Sequence, residues 1–379
     1  MCILSGADSN IVEEIFNRTK EDLKKMMPVN IMIIGKTGIG KSTLINSVFR
    51  ENLAETGIGR PVTQHLRKIS KEDVPICLYD TKGLELKPEV QEEIKDEINN
   101  KINELYLARN EKDFIHAIWY CVNANSNRIE DLEIDLINSF ATNVPVILVL
   151  TQTIGKSGLA FQKKVEEMNL NVRGIQAVLA EPYEVSTDIV IPAHGLVGLV
   201  GKTYEVLPEG VRKSFINAQK VDIDKKVKEA RNWSTGYIAG SFGAGFTPVP
   251  FAQAAVIAPI QIGMLAHITT IFGISLDKSL ISGLVGSIGG SGGATFLGRY
   301  IVGNLLKFIP GIGTVAGGLI TGTVASILTT SLAMAYIEVM KKVAIAEYEG
   351  KRISNQDIAN MMKSMYEENL KRPKPEPVS

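Results

Sequence analysis

Between the apolar stretch VNIMII and the helical pattern STLINSVF lies the run GKTGIGKS, Gly35 to Ser42. No other feature of the chain constrains its fold as much. The spacing G-x-x-x-x-G-K-[ST] lets glycine backbones turn N–H groups inward around a phosphate, and a following helix start adds its positive dipole. A strand must therefore run into a loop and the loop into a helix. On this pattern Gly35, Lys36, Thr37, Gly38, Ile39 and Gly40 are candidate phosphate ligands, with the stretch running on through Lys41, Ser42 and Thr43. The Lys41 ammonium reaches the outer phosphates, and the Ser42 hydroxyl ligates Mg²⁺.

The alternation continues. After STLINSVF come VPICLYD, a charged helix from Pro88 to about Asn110, FIHAIWYCVNA, a helix near Ile129 to Phe140, VPVILVLTQ, a helix near Ser157 to Met168, and IQAVLAEPYEVS. Apolar strands alternating with helices predict an α/β domain, a mainly parallel sheet covered by helices on both faces. The domains expected are an amphipathic helix over 1–27, the α/β domain over 28–208, a connecting helix over 209–231, a glycine-rich all-α domain over 232–348 and a polar tail over 349–379. The connecting helix ends in Lys225, Lys226, Lys228 and Arg231, which form either a solvated face or a contact for anionic lipid.

Two further motifs narrow the chemistry. VPICLYDTKG puts Asp80 at the end of a strand and Gly83 three residues on, the D-x-x-G spacing in which the Asp approaches Mg²⁺ through water and the Gly amide senses a γ-phosphate. Upstream, GRPVTQH supplies Thr63 to complete the Mg²⁺ shell and assist catalysis, with Thr56 as runner-up. The metal set expected is thus Ser42, Thr63 and Asp80.

With these motifs in order, the sequence resembles the translation-factor-related class of GTPases, in particular Era-like G domains that precede a glycine-rich C-terminal domain of unknown function. The resemblance rests on GKTGIGKSTLINSVF, GRPVTQ, DTKGLE, IWYCVNANSNRIED and VLTQT, and extends to PVPFAQAAVIAPIQIGMLAHITTIFGI and KFIPGIGTVAGGLI. It implies GTP/GDP and Mg²⁺ as cofactors, a nucleotide switch and slow hydrolysis of GTP.

The chain departs from better-known G domains at three places. Where an [NT]-K-x-D box would read guanine, VPVILVL runs into Thr151, Gln152 and Thr153 with no Asp. Gln152 either covers the base with its stem or ends a strand. Ser186 and Thr187 either supply the last base contact or do likewise. Leu84 stands where signalling GTPases keep a water-orienting Gln, so hydrolysis needs outside help worth roughly 10³ to 10⁵. Gly38 replaces the Asn of potassium-stimulated relatives. The GKTGIGKS wording is similar to septins and chloroplast import receptors, which pair across their nucleotide faces. A homodimer is expected by that likeness, with Arg60 and Arg128 as candidates for a catalytic arginine acting across it.

The 41 Lys plus Arg balance 41 Asp plus Glu, which leaves no basic surplus for nucleic acid, and none is expected as a partner. Charge is nonetheless uneven. From Asn232 to Glu338 only Asp277, Lys278, Arg299, Lys307 and Glu338 are charged, and the stretch holds 19 of the 34 glycines. Two uncharged windows, Asn232 to Leu276 and Thr314 to Ile337, exceed the ~20 residues needed to cross a bilayer. Small residues four apart, Gly236/Gly240, Gly289/Gly293, Gly313/Gly317 and Gly318/Gly322, suit close helix approach. Pro248, Pro250, Gln253, Pro259, Gln261 and His267 interrupt the first window, so a lipid bilayer partner and a bundle in solution both stand. So do three roles: a switch coupled to a membrane, a membrane-anchoring or remodelling protein with structural nucleotide binding, and a soluble assembly factor.

Cys2, Cys77 and Cys121 follow no metal or disulfide spacing, and the N-terminus lacks a basic segment before a long apolar run. The expected location is cytoplasmic, free or held at or within the cytoplasmic face of a membrane. His65, His116, His194 and His267 are scattered and expected to be structural.

Overall fold

The computed structural model describes residues 6–63, 65–81, 88–244, 252–274, 278–289 and 322–371. Two compact units emerge, Lys25–Asp222 and a second composed of Met1–Lys24 with Ile223–Ser379.

The first unit is built on strands β1 (Val29–Ile34), β2 (Ile58–Pro61), β3 (Leu66–Lys71), β4 (Val74–Thr81), β5 (Ala117–Asn123), β6 (Val146–Thr151) and β7 (Gly174–Ala177). They form one seven-stranded sheet in the order β2-β3-β4-β1-β5-β6-β7. β1, β4, β5, β6 and β7 run parallel, while β2–β3 and β3–β4 are antiparallel. The helices of this unit are α2 (Lys41–Val48), the one-turn α3 (Leu53–Thr56), α4 (Pro88–Leu107), α5 (Asp131–Phe140) and α6 (Gly155–Glu167), with α7 (Leu196–Val206) and α8 (Glu209–Ala218) after the last strand.

Every residue of β1 is buried because helices cover both faces, and its side chains alternate between two cores. Ile31 and Ile33 join Trp119, Leu44 of α2, Leu199 of α7 and Phe215 of α8. Met32 and Ile34 join Tyr120, Ile98 of α4, Phe140 of α5 and Phe161 of α6. In the first core Phe49 stacks on Trp119 with ring centroids 5.5 Å apart, and the indole N–H donates to Thr203 Oγ1 at 3.0 Å. A buried indole needs that partner.

Strands β2 and β3 were not expected. GRPVTQH reads as loop, yet Ile58–Pro61 pairs with Leu66–Lys71 and carries the sheet outward to an edge. The stretch IQAVLAEPYEVS is likewise divided, with β7 followed by a separate hairpin of β8 (Tyr183–Ser186) and β9 (Ile189–Ile191).

The second unit is helical: α1 (Gly6–Lys25), α9 (Ile223–Ala244), α10 (Ala252–Phe272), α11 (Lys278–Gly289), α12 (Gly322–Tyr348) and α13 (Asn355–Lys371). The single connecting helix read over 209–231 is two helices, α8 and the start of α9. Gln219 separates them, its side-chain oxygen accepting from the N–H groups of Val221 and Asp222 at 2.8 Å each. The amphipathic α1 buries Val12, Ile15 and Leu23, and Arg18 donates to the Pro259 carbonyl at 3.1 Å.

The basic cluster at the start of α9 is not all solvated. Lys226 is fully buried, donating to the carbonyls of Phe272 at 2.8 Å and Ile271 at 3.3 Å, the last of α10. A cation at a helix C-terminus meets both the orphaned carbonyls and the dipole. Among the described residues, a Cβ added at Gly236 or Gly240 would meet nothing within 4 Å, so neither is seated against a described helix. Gly293, Gly313, Gly317 and Gly318 lie outside the described residues. Among the described residues one helix, α12, is long and apolar enough to cross a membrane, and 67% of its most apolar window is buried inside the protein. Buried polar pairs reach it from α10, Gln261 to Thr329 at 3.1 Å and Thr269 to Tyr336 at 2.7 Å.

Candidate nucleotide site

The loop after β1 takes left-handed backbone at three glycines, with φ of 151° at Gly35, 78° at Gly38 and 93° at Gly40. Gly35 has a second reason to be glycine, because a Cβ there would lie 2.6 Å from the Cys121 carbonyl oxygen. Gly40 caps α2, which begins at Lys41, so Lys41, Ser42 and Thr43 make its first turn. Lys41 Nζ folds back over the loop and donates to the carbonyls of Gly35 at 2.6 Å and Lys36 at 3.0 Å. Ile39 is buried and anchors the loop to the core beneath. Lys36 pairs with Glu130 at 2.9 Å and Glu133 at 3.5 Å at the start of α5. Those two acids answer each other in a capping box on α5, so the loop is tied to a rigid helix end.

Asp80 comes to this loop through the sheet. It is paired in register with Ile33 of β1, is buried, and has Arg67 at 4.0 Å from its carboxylate. The next residue, Thr81, donates to the Ile33 carbonyl at 3.3 Å. Gly83 and Leu84 lie outside the described residues.

Thr63 sits in the turn between β2 and β3, where its hydroxyl accepts from the Leu66 N–H at 3.1 Å. It also hydrogen-bonds the Glu97 carboxylate on α4. His65 adds its backbone N–H to Glu97 at 3.1 Å and its Nδ1 at 2.8 Å. Burial raises the Glu97 pKa, and the Thr63 and His65 bonds more than reverse that, leaving it below the ordinary carboxylate value. Thr56 ends α3, Arg60 is exposed on the edge strand β2, and Arg128 is exposed with Glu130 at 3.5 Å.

A cavity of about 190 Å³ opens beside the loop, lined by Gly40 and Thr43 on one side and by Thr151, Gln152 and Val178–Tyr183 on the other. Gln152 adopts left-handed backbone, φ 54°, which turns its side chain toward the loop. Its Nε2 donates to the Gly38 carbonyl at 3.3 Å and its Oε1 accepts from Asn123 at 3.1 Å. Thr151 is buried and holds the Val122 carbonyl at 3.2 Å. Ser186 ends β8, Thr187 lies in the turn to β9, both are exposed, and neither lines the cavity. The loop directly after β7, with Ala180 and Glu181, does. No motif spacing marked it, because the sequence ran the strand straight through those residues.

His116 accepts from the Asn30 N–H at 2.9 Å, His194 meets the Thr153 carbonyl at 3.1 Å, and His267 meets the Tyr237 hydroxyl at 3.2 Å. Among the described residues no three His, Cys, Asp or Glu side chains cluster to hold a metal. A cation here would rest on hydroxyl, carboxylate, water and phosphate oxygens, the donor set Mg²⁺ takes. Ser42 at the start of α2 and Asp80 on β4 carry such oxygens, and Thr63 offers a hydroxyl from the β2–β3 turn.

Sheet, loop and cavity define a phosphate-loop nucleotide-binding domain. Residues 30–152 match the family described as 50S ribosome-binding GTPase, and the seven-stranded sheet of this unit has the G-domain fold. Septin-14 of Mus musculus is 24% identical over 177 residues, 41% of this chain and 41% of its own length. GTPase Der of Jannaschia sp. (strain CCS1) is 36% identical over 67 residues, 17% of this chain and 14% of Der. Magnetosome membrane protein 22 of Magnetospirillum gryphiswaldense is 26% identical over 113 residues, 29% of this chain and 56% of that protein. The chain spans less than two thirds of each of these relatives.

Proposed function

We propose that this protein binds GTP with Mg²⁺, hydrolyses it slowly to GDP and phosphate, and acts as a nucleotide switch. The observation that carries the reading is the Lys41 ammonium, held over the mouth of a left-handed glycine loop at a helix start, where the outer phosphates of a nucleotide belong. Ser42, Asp80 and Thr63 would hold Mg²⁺, which supplies charge neutralisation at the β- and γ-phosphates. Calorimetry with GTP and ATP tests the reading. GTP binding that falls roughly tenfold to a hundredfold in Lys41→Ala is expected, as for loss of a charge-assisted contact; equal affinity in the variant, or a preference for ATP, overturns it.

Hydrolysis depends on groups beyond Leu84, and we propose that Arg128 supplies charge across a homodimer of nucleotide faces. Its exposure leaves it able to enter a second copy. Turnover per molecule should rise with protein concentration and lose that rise in Arg128→Ala; concentration-independent turnover rejects the dimer.

We also propose membrane association of the helical unit, supported by the length and apolar composition of α12 and by the similarity to a magnetosome membrane protein. Because most of α12 is buried among its neighbours, the membrane-bound form would require its release. Flotation with anionic liposomes, with and without GTP, is the measurement, and recovery wholly in the soluble fraction under both conditions ends this reading.

A further inference from the structure

The cavity beside the loop raises a question the motifs leave open, namely what reads the base when the usual aspartate is missing. Among its described lining residues Glu181 is the only carboxylate. It stands on the loop directly after β7, opposite Gly40 and Thr43, and it is exposed and free of the core. Gln152, which stands where the usual box has its Lys, is already committed at both ends of its amide, to Gly38 and to Asn123. It therefore offers its stem as a wall and leaves the base edge to another group. Lys220 is close enough to feel the Glu181 charge, which pushes its pKa back up against the lowering effect of burial.

We propose that Glu181 is the base-specificity residue of this site, its carboxylate accepting from N1–H and the 2-amino group of guanine. The inference rests on the nucleotide-site reading above and adds to it the residue that selects the base. The chemistry is directional. Guanine presents two adjacent donors on that edge and a carboxylate presents two acceptors, a bidentate match between an ionised and a neutral partner. Adenine presents N1 as an acceptor at the same place and is repelled. A neutral amide at position 181 reverses part of the pattern, because its NH₂ can donate to the 2-oxo group of xanthine while its carbonyl still accepts from N1–H.

Full-length protein and the Glu181→Gln variant are titrated calorimetrically with the Mg²⁺ complexes of GDP, inosine diphosphate and xanthosine diphosphate. The unchanged protein should prefer GDP to inosine diphosphate, which lacks the 2-amino group. Glu181→Gln should weaken GDP roughly tenfold to a hundredfold and strengthen xanthosine diphosphate, while Lys41→Ala weakens both. A merely structural role for Glu181 would not move the xanthine affinity upward. GDP binding unchanged in Glu181→Gln, or GDP and xanthosine diphosphate weakened alike, overturns the inference and leaves the nucleotide site standing. Absence of GDP binding in the unchanged protein overturns both.

Discussion

Gly35 shows how closely the nucleotide loop is fitted to the sheet. With φ of 151° and a Cβ that would sit 2.6 Å from the Cys121 carbonyl oxygen, no side chain fits there without moving β5. Backbone strain of this kind costs on the order of 1–3 kcal/mol. Gly35→Ala should lower the unfolding free energy by about that amount in a denaturant titration and weaken nucleotide binding as well. The Cys121 thiol beside it is inert, because full burial pushes its pKa up to about 12. His116 behaves differently. Burial lowers its pKa to about 4, and in the folded chain the neutral ring accepts the Asn30 amide. The unfolded chain keeps the ordinary value near 6.5, so between pH 6.5 and about 4 it binds the extra proton and stability falls as the pH falls. The loss is full at about pH 4 and amounts to about 3 kcal/mol at most, at ~1.4 kcal/mol per pH unit. A melting temperature that declines through this window, and declines less in His116→Gln, is the expected result. In the helical unit, Lys226→Met removes the donor that serves the last carbonyls of α10 and should cost about 1–3 kcal/mol in the same denaturant measurement.

At the scale of elements, the β2–β3 turn is fastened to α4 through Thr63, His65 and Glu97. The β2–β3 turn and α4 are thus joined through one carboxylate. Glu97→Gln keeps the shape but removes the charge, so Thr63 should be released more readily; faster exchange of bound fluorescent GDP is expected, and an unchanged rate would show that the tether does not gate the site. How much of this was legible from sequence follows from chain chemistry. The loop from Gly35 to Ser42 and the strands β1, β4, β5 and β6 could be read directly, because unbroken apolar runs and fixed glycine spacing are local signals. β2 and β3 could not. They are short, β2 lies at the sheet edge and carries Gly59 and Pro61, and β3 has polar, half-buried Arg67, Lys68, Ser70 and Lys71 at four of its six positions. The cavity wall at Ala180 and Glu181 was hidden for a different reason, since a loop that continues a strand has no composition of its own. Buried Lys226 had no local signal either, as its partners lie 45 and 46 residues away.

The whole molecule consists of a nucleotide unit and a helical unit, and a ligand specific to one should stabilise that one alone. At a hundredfold excess over its dissociation constant, GDP with Mg²⁺ adds about 2.7 kcal/mol to its own unit. Differential scanning calorimetry should then show one transition rising by several degrees with nucleotide while a second stays in place. Deleting residues 1–24 should lower the second, because Val12, Ile15 and Leu23 of α1 are part of its buried surface. Coincident movement of both transitions would refute this assignment.

The order in which the helical unit is made has a consequence for its birth on the ribosome. α1 emerges before the nucleotide unit, and α10 and α11, to which it hydrogen-bonds, are synthesised after that unit. At roughly 5–20 residues per second, about two hundred intervening residues hold α1 without its partners for about 10 to 40 seconds. Throughout that time its apolar stripe is uncovered while the nucleotide unit is free to fold. Nascent α1 is therefore a natural point for a chaperone to hold the chain, until α10 and α11 are made and cover it.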